Sequence, residues 1–166
     1  IKKTVEREQT MLFTQKALMR QDYVFFVRKK APHRFNGNLA SMADKSIGLV
    51  IATSYGSRFD AAAQGGTFKK LDPATSHEMN FRKLLAGRVD AVICSRLVGF
   101  YYLDRLDARK KVEIGGPVVE TTFSYLAFTR QKDFAALAAR FDEALEAMER
   151  DGALGRIFNA YSVLPN

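Results

Sequence analysis

Short apolar runs alternate with amphipathic segments through the middle of the chain. The runs at residues 23–27, 47–51 and 89–94 are nearly all apolar, which predicts buried strands, and a further strand is predicted at 111–114. Helices are predicted at 57–64 and at 97–103, and a short strand at 67–71. A further helix is predicted to begin at a capping box formed by Thr75 and Glu78 and to end at Gly87. This alternation is typical of a parallel α/β sheet with helices on both faces.

Hydroxyl side chains mark the ends of two of these strands. The run at 47–51 leads into Thr53 and Ser54, and the strand at 89–94 is followed by Ser95. Parallel α/β sheets bind ligands at the carboxyl ends of their strands. A strand-to-helix turn also directs N–H groups and the positive end of the helix dipole toward one point, which favours a carboxylate. Ordinary helix capping by Ser or Thr is the alternative explanation.

The pattern changes after residue 117. Residues 121–129 predict one long strand, residues 133–151 an amphipathic helix, and residues 153–161 a last helix. The apolar stripe of the long helix comprises Phe134, Leu137, Ala138, Phe141, Ala144, Leu145 and Met148. Such a stripe needs a core to cover, and the mixed polarity of residues 1–22 does not predict a sheet. We therefore expect the sequence to be incomplete at its N-terminus.

Charge and composition narrow the classes of partner. Lys and Arg exceed Asp and Glu by 26 to 18, so the net charge of +8 favours anionic partners. The basic residues are scattered and no RNA-binding aromatic motif accompanies them, so no nucleic-acid partner is expected. No apolar run is long enough to cross a bilayer.

The single cysteine, Cys94, is predicted to be a small buried core residue. His33 and His77 lie in polar surroundings, so neither is expected to partner Cys94 in catalysis. One cysteine and two widely spaced histidines also predict no metal site, and no cofactor is expected.

Five segments, in order along almost the whole chain, resemble the family 3 periplasmic solute-binding proteins, the amino-acid-binding components of ABC transporters. They are TVEREQTMLFT at 4–14, SIGLVIATSYG at 46–56, LLAGRVDAVI at 84–93, SYLAFTR at 124–130 and ALEAMERDGALGRIFNAY at 144–161. The resemblance implies an α/β fold, periplasmic-binding-protein type II-like, in which two lobes close on a ligand. It implies one complete parallel-sheet lobe plus the C-terminal portion of a second lobe.

The resemblance also implies domain boundaries. Residues 1–22 correspond to the tail of lobe one and the first crossover, and residues 23–119 to lobe two. Residues 120–166 correspond to the second crossover and the C-terminal helices of lobe one. Most of lobe one is then missing, which agrees with the uncovered stripe of the long helix.

A ligand-binding site follows from the same resemblance. Arg7 occupies the place of the family's carboxylate-binding arginine in the motif T-x-x-R, and Thr53 and Ser54 match the turn that bonds the same carboxylate. At the position of Ser95, family members commonly carry an acidic residue that holds the ligand's ammonium group. Since a hydroxyl cannot replace that charge, we expect an amino acid held differently or an anion without an ammonium group. Glu120, near the return crossing, is a further candidate ligand contact.

The resemblance implies a receptor, periplasmic or otherwise extracytoplasmic and membrane-tethered, that captures a small carboxylate-bearing ligand for the permease of an ABC importer. An enzyme on the same scaffold, such as a cyclohexadienyl dehydratase, is an alternative. Ser54 and Ser95 have no base visible in the sequence, however, so binding is favoured over catalysis. A ligand-sensing domain of a membrane signalling protein is a third alternative.

Overall fold

The computed structural model describes residues 1–161, and the chain divides into two compact units. Unit 1 consists of Ile1–Arg20 and Phe123–Asn166, and unit 2 of Gln21–Thr122. Residues 162–166, the end of the predicted segment 120–166, lie outside the described residues. The interpretation of the units as two lobes, with the boundaries given above, stays a prediction.

The described residues form eight strands and six α-helices. The strands are β1 (Met11–Phe13), β2 (Met19–Arg28), β3 (Ser46–Val50), β4 (Lys70–Ala74), β5 (Ala91–Ser95), β6 (Val112–Ile114), β7 (Glu120–Ser124) and β8 (Ala127–Thr129). The helices are α1 (Val5–Thr10), α2 (Ser57–Gln64), α3 (His77–Leu85), α4 (Arg96–Arg105), α5 (Ala135–Arg150) and α6 (Ala153–Tyr161), and a 3-10 helix spans Leu39–Met42.

The sheet of unit 2 has the strand order β4-β3-β5-β2-β6, and β7 also pairs with β2. Strand β3 runs parallel to both β4 and β5, as the alternation of strands and helices predicts. Strand β2 runs antiparallel to β5 and to β6, so the sheet is mixed rather than wholly parallel. A strand buried on both faces is a continuous apolar run whichever way it points, so the sequence pattern at 23–27 carries no information about direction.

Two hydrophobic cores cover the two faces of this sheet. Tyr23, Phe25 and Val27 of β2 point into the first core, where Phe59 of α2 packs. The alternate residues Val24 and Phe26 point into the second core. That core receives Phe81 and Leu84 from α3 and Leu103 from α4. Helices therefore lie on both faces, which confirms the predicted α/β layering.

Three local predictions are wrong in detail. The long strand predicted at 121–129 is divided into β7 and β8, with residues 125–126 between them. The short strand predicted at 67–71 lies at Lys70–Ala74. Ser76 rather than Thr75 caps α3, since the Ser76 Oγ accepts the Met79 N–H at 3.2 Å. Short runs of hydroxyl residues offer several possible caps, and tertiary packing selects one.

Unit 1 contains a two-stranded antiparallel sheet of β1 and β8 together with α1, α5 and α6. The Asp142 carboxylate of α5 accepts the backbone N–H groups of Gln15 and Lys16 at 2.8 and 2.7 Å. Of the predicted stripe on α5, only Ala138 and Leu145 are buried, whereas Leu137 remains 47% exposed. No helix within residues 1–161 is long and apolar enough to cross a membrane.

Two helical glycines provide a matched test of the second core. A Cβ at Gly99 of α4 would overlap the Phe26 ring, whereas one at Gly155 of α6 would meet no neighbouring atom of the described residues within 4 Å. We expect Gly99→Ala to destabilise the chain by about 1–2 kcal/mol, because overpacking outweighs the helix-propensity gain. Gly155→Ala should stabilise it by roughly 0.5–1 kcal/mol. Urea unfolding of both variants measures this, and stabilisation by Gly99→Ala would contradict the packing described.

Candidate functional site

The carboxyl ends of β3 and β5 lie at the same edge of the sheet. The two strands are parallel neighbours, with Ile47 opposite Ala91 and Gly48 opposite Val92. The segment after β3 contains Thr53 and Ser54, and β5 ends at Ser95. The structure therefore brings the ends of these strands to one edge, where ligands of α/β sheets bind.

The turn after β3 is held by backbone and hydroxyl contacts. Ala52 adopts a positive φ of 56°, and the Thr53 N–H bonds to the Val50 carbonyl at 3.3 Å. The Thr53 hydroxyl donates to the Ile51 carbonyl at 3.5 Å, which is long for an O–H donor. This hydroxyl is consequently only weakly held by the chain.

Asp60 organises the rest of the turn, a role not predicted from the sequence. The Ser54 hydroxyl donates to Asp60 Oδ2, and the Tyr55 N–H donates to Asp60 Oδ1 at 2.9 Å. Asp60 lies in the first turn of α2, where a negative charge also complements the helix dipole. The signal available in the sequence was an acidic residue in the first turn of a predicted helix.

Tyr55 anchors the turn to the first core. Its ring is buried against the edge of Tyr23, with 5.6 Å between ring centroids, and its hydroxyl accepts the Val50 N–H at 2.6 Å. Burial raises the pKa of Tyr55 and that of Tyr23. Both phenols are therefore neutral at physiological pH and serve as structural groups.

Glu120, at the start of β7, places its carboxylate at the N-terminus of α2. Oε1 accepts both the N–H and the hydroxyl of Ser57 at 3.0 Å, and Oε2 accepts the Arg58 N–H at 2.8 Å. The carboxylate thus satisfies two of the donors that a helix leaves unpaired at its start. Whether Glu120 also contacts a ligand stays a prediction.

Ser95 is 5% exposed and its hydroxyl has no hydrogen-bond partner among the described residues. It is the N-terminal cap residue of α4, yet its side chain makes no capping bond. Nε of the next residue, Arg96, is likewise buried without a partner in that part of the chain. An unsatisfied buried hydroxyl costs stability, which makes Ser95 a candidate for a functional contact.

Arg7 belongs to unit 1, whereas the other four predicted site residues belong to unit 2. The Thr4 hydroxyl caps α1 by accepting the Arg7 N–H at 3.3 Å. The Arg7 side chain is half-buried and donates through Nη1 to the Lys2 carbonyl at 3.2 Å. In the motif T-x-x-R, the threonine therefore starts the helix that carries the arginine. The shared site of Arg7 with Thr53 and Ser54 stays a prediction.

Cys94 is buried as predicted, and it also contacts His77, a pairing that the polar sequence surroundings of this histidine did not indicate. Its Sγ lies 3.4 Å from Nδ1 of His77, and the His77 ring lies 5.8 Å from that of Tyr102. Burial raises the pKa of the Cys94 thiol and lowers that of His77. Both groups are therefore uncharged at neutral pH, and the arrangement is a buried hydrogen bond rather than an activated thiolate. The pairing depends on α3 packing beside β5, which local sequence does not reveal.

No group of three or more His, Cys, Asp or Glu side chains that could hold a metal ion occurs within the described part of the chain.

Solved structures of binding proteins and of a sensor domain share this fold. One is the amino acid ABC transporter substrate-binding protein AbpA from Streptococcus pneumoniae bound to L-arginine, with TM-score 0.78, 16% identity, and coverage of 97% of this chain and 65% of that chain. The probable amino-acid ABC transporter extracellular-binding protein ytmK from Bacillus subtilis has TM-score 0.78, 18% identity, and coverage of 98% and 68%. A histidine kinase sensor domain with similarity to periplasmic binding proteins has TM-score 0.77, 20% identity, and coverage of 98% and 68%.

These likenesses define the class of fold. The chain is α/β and periplasmic-binding-protein type II-like, and it spans about two thirds of the length of the matching proteins. At identities of 16–20% the similarity shows the fold alone. Neither a protein-family model nor a curated protein matches the chain.

The half-buried His77 predicts how the stability of the folded chain depends on pH. Its pKa is lowered in the folded chain, so the unfolded chain takes up the proton first as the pH falls through about 6.5. The free energy of unfolding should therefore decline as the pH falls below about 6.5. The contribution of His77 to this decline ends below its folded-state pKa, where the folded and the unfolded chain both carry the proton. Urea unfolding between pH 7.5 and 5.5 should show a smaller decline in His77→Phe than in the unmodified chain, whereas His33→Gln should retain it. Equal declines in the unmodified chain and His77→Phe would contradict the assignment.

Proposed function

We propose that the chain is an extracytoplasmic solute-binding protein. It captures a small carboxylate-bearing ligand, an amino acid or a related acid, for the permease of an ABC importer. The observation that carries the proposal is the hydroxyl-bearing turn at Thr53 and Ser54, which lies at the carboxyl edge of a sheet in a fold shared with amino-acid-binding proteins. A localisation outside the cytoplasm, in the periplasm or tethered to the membrane, is part of the same proposal.

The proposed carboxylate subsite joins Arg7 to the turn. A guanidinium has five donors, and one of those of Arg7 bonds to the Lys2 carbonyl, so the group retains the capacity for a bidentate contact. The Ser54 hydroxyl already donates to Asp60, whereas the Thr53 hydroxyl makes only a long bond. A ligand carboxylate can therefore accept a hydrogen bond from Thr53 more favourably than from Ser54, because Thr53 gives up only a long bond.

In the proposed site, Ser95 lies near the end of the ligand opposite the carboxylate. Its hydroxyl is buried and without a partner among the described residues, and the residue that follows is Arg96. Neither supplies the negative charge that an ammonium group requires when it leaves water. These residues support a ligand that is an amino acid held differently or an acid without an ammonium group.

Binding rather than catalysis is supported by the chemistry of the interior. Cys94 lies in the second core and His77 contacts it from a half-buried position, with both groups neutral, so the pair offers neither a nucleophile nor a strong base. Within the proposal, residues 1–22 and 120–166 belong to one lobe and its crossovers, and residues 23–119 to the other. The two lobes close on the ligand through a hinge, driven by its higher affinity for the closed state.

A sensing role is the second candidate, and one observation favours it. The histidine kinase sensor domain matches this chain with TM-score 0.77, as well as the transport proteins do. Ligand capture is common to the two roles, whereas the partner differs: a permease in one and a membrane-bound kinase in the other.

A ligand screen with thermal unfolding tests the proposed capture. L-arginine, L-glutamine, L-glutamate, succinate and prephenate are added to the chain, and a true ligand stabilises it by about 2.7 kcal/mol at one hundred times its Kd. Arg7→Gln should weaken binding of the active compound roughly 10- to 100-fold through loss of a charge-assisted contact, and Thr53→Val should weaken it more than Ser54→Ala. Arg140→Gln, at an exposed position of α5, is the matched charge control and should bind normally.

Three outcomes would contradict the proposal. They are equal binding by Arg7→Gln and Arg140→Gln, turnover of the bound compound, and the absence of any stabilising acid in a broader screen of amino and carboxylic acids. Turnover is followed by chromatography of the compound after incubation.

A further inference from the structure

We propose that Glu120 is an intramolecular anion that fills the N-terminus of α2 and thereby excludes a ligand carboxylate from it. The N-terminal cap residue of α2 is Gly56, which has no side chain to bond the first-turn N–H groups. Glu120 supplies the missing acceptor from more than sixty residues away, through the three hydrogen bonds to Ser57 and Arg58. A specificity role for Glu120 follows from this placement.

The backbone around the carboxylate fits it closely. Gly56 has φ of 112°, and a Cβ at this position would overlap the Glu120 carboxylate. The site therefore requires glycine for two independent reasons, since L side chains rarely adopt this φ.

Arg58 also bonds the residue that precedes Glu120. Its guanidinium donates to the Val119 carbonyl through Nη1 at 3.1 Å, and to the Gly37 carbonyl through Nη2. Backbone and side chain of Arg58 thus bond two consecutive residues, Val119 and Glu120. Because these bonds restrain the chain immediately before β7, the Glu120 carboxylate is held in place rather than resting loosely on a helix end.

The occupied helix end changes where a ligand carboxylate can bind. A helix N-terminus ordinarily attracts anions through its unpaired N–H groups and its dipole. At α2 those groups already bond to a carboxylate, and a second anion there would meet its negative charge. This inference rests on the proposed function in one respect: it directs the ligand carboxylate to Arg7 and the Thr53 hydroxyl and away from the start of α2.

The test uses the amide resonances of Ser57 and Arg58 in NMR spectra of the 166-residue chain, with sodium sulfate as the probe. In the unmodified chain, sulfate at constant ionic strength should produce no saturable shift of these amides. In Glu120→Ala the vacated helix end should bind sulfate, and both amides should show saturable shifts. The affinity for sulfate should be at least tenfold above the upper limit measured for the unmodified chain. Glu113→Ala removes an equal charge from an exposed pair with Arg34 and should behave as the unmodified chain does.

Two results would overturn the proposal: saturable sulfate shifts at Ser57 and Arg58 in the unmodified chain, or their absence in folded Glu120→Ala. Glu120→Gln is a second variant for the case in which Glu120→Ala fails to fold. It keeps the length of the side chain but removes its negative charge, so saturable sulfate shifts of the Ser57 and Arg58 amides should appear, and their absence would also overturn the proposal. Because this test uses sulfate and no candidate ligand, the ligand screen can fail while the inference about Glu120 stands. Equally, this inference can fail while the screen succeeds.

Discussion

The structure of unit 2 depends on the burial of β2 on both faces of the sheet. Its side chains alternate between the two cores, with Phe25 in one and Phe26 in the other, and each is at most 1% exposed. Helix α2 covers the first face, and α3 and α4 cover the second. Because β2 pairs with β5, β6 and β7, its position also determines where the ends of the neighbouring strands lie. The carboxyl edge that carries Thr53 and Ser95 is thus a consequence of how this strand is buried.

The three helices that follow strands at this edge begin in different ways. Helix α2 is capped by the Glu120 carboxylate and supported by Asp60, and α3 is capped by Ser76. The cap residue of α4, Ser95, makes no such bond. Two carboxylates therefore accept hydrogen bonds from donors on the β3 side of the edge, whereas the buried Ser95 hydroxyl at the end of β5 has no partner among the described residues. This asymmetry bears directly on the chemistry of any ligand held there.

The sequence pattern was sufficient to predict an element wherever the local preference for helix or strand agrees with the packing of the whole fold. The helix at residues 57–64 and the strand that precedes it were predictable because apolar runs and helical periodicity reflect burial that the whole fold preserves. The direction of β2, the break between β7 and β8, and the contact of His77 with Cys94 were not predictable, since each depends on neighbours distant in sequence. The shared fold confirms the class that the order of motifs implied.

The amino-acid sequence by itself determined the alternation of strands and helices, the hydroxyl-rich turn after β3 and the arginine at position 7, because these follow from local composition and spacing. Only the tertiary structure decided which donors of the turn are engaged and by what. Glu120 reaches Ser57 across 63 positions of the chain. Such a contact is selected by the free energy of the complete fold, in which a distant carboxylate satisfies a helix end that its own glycine cap cannot.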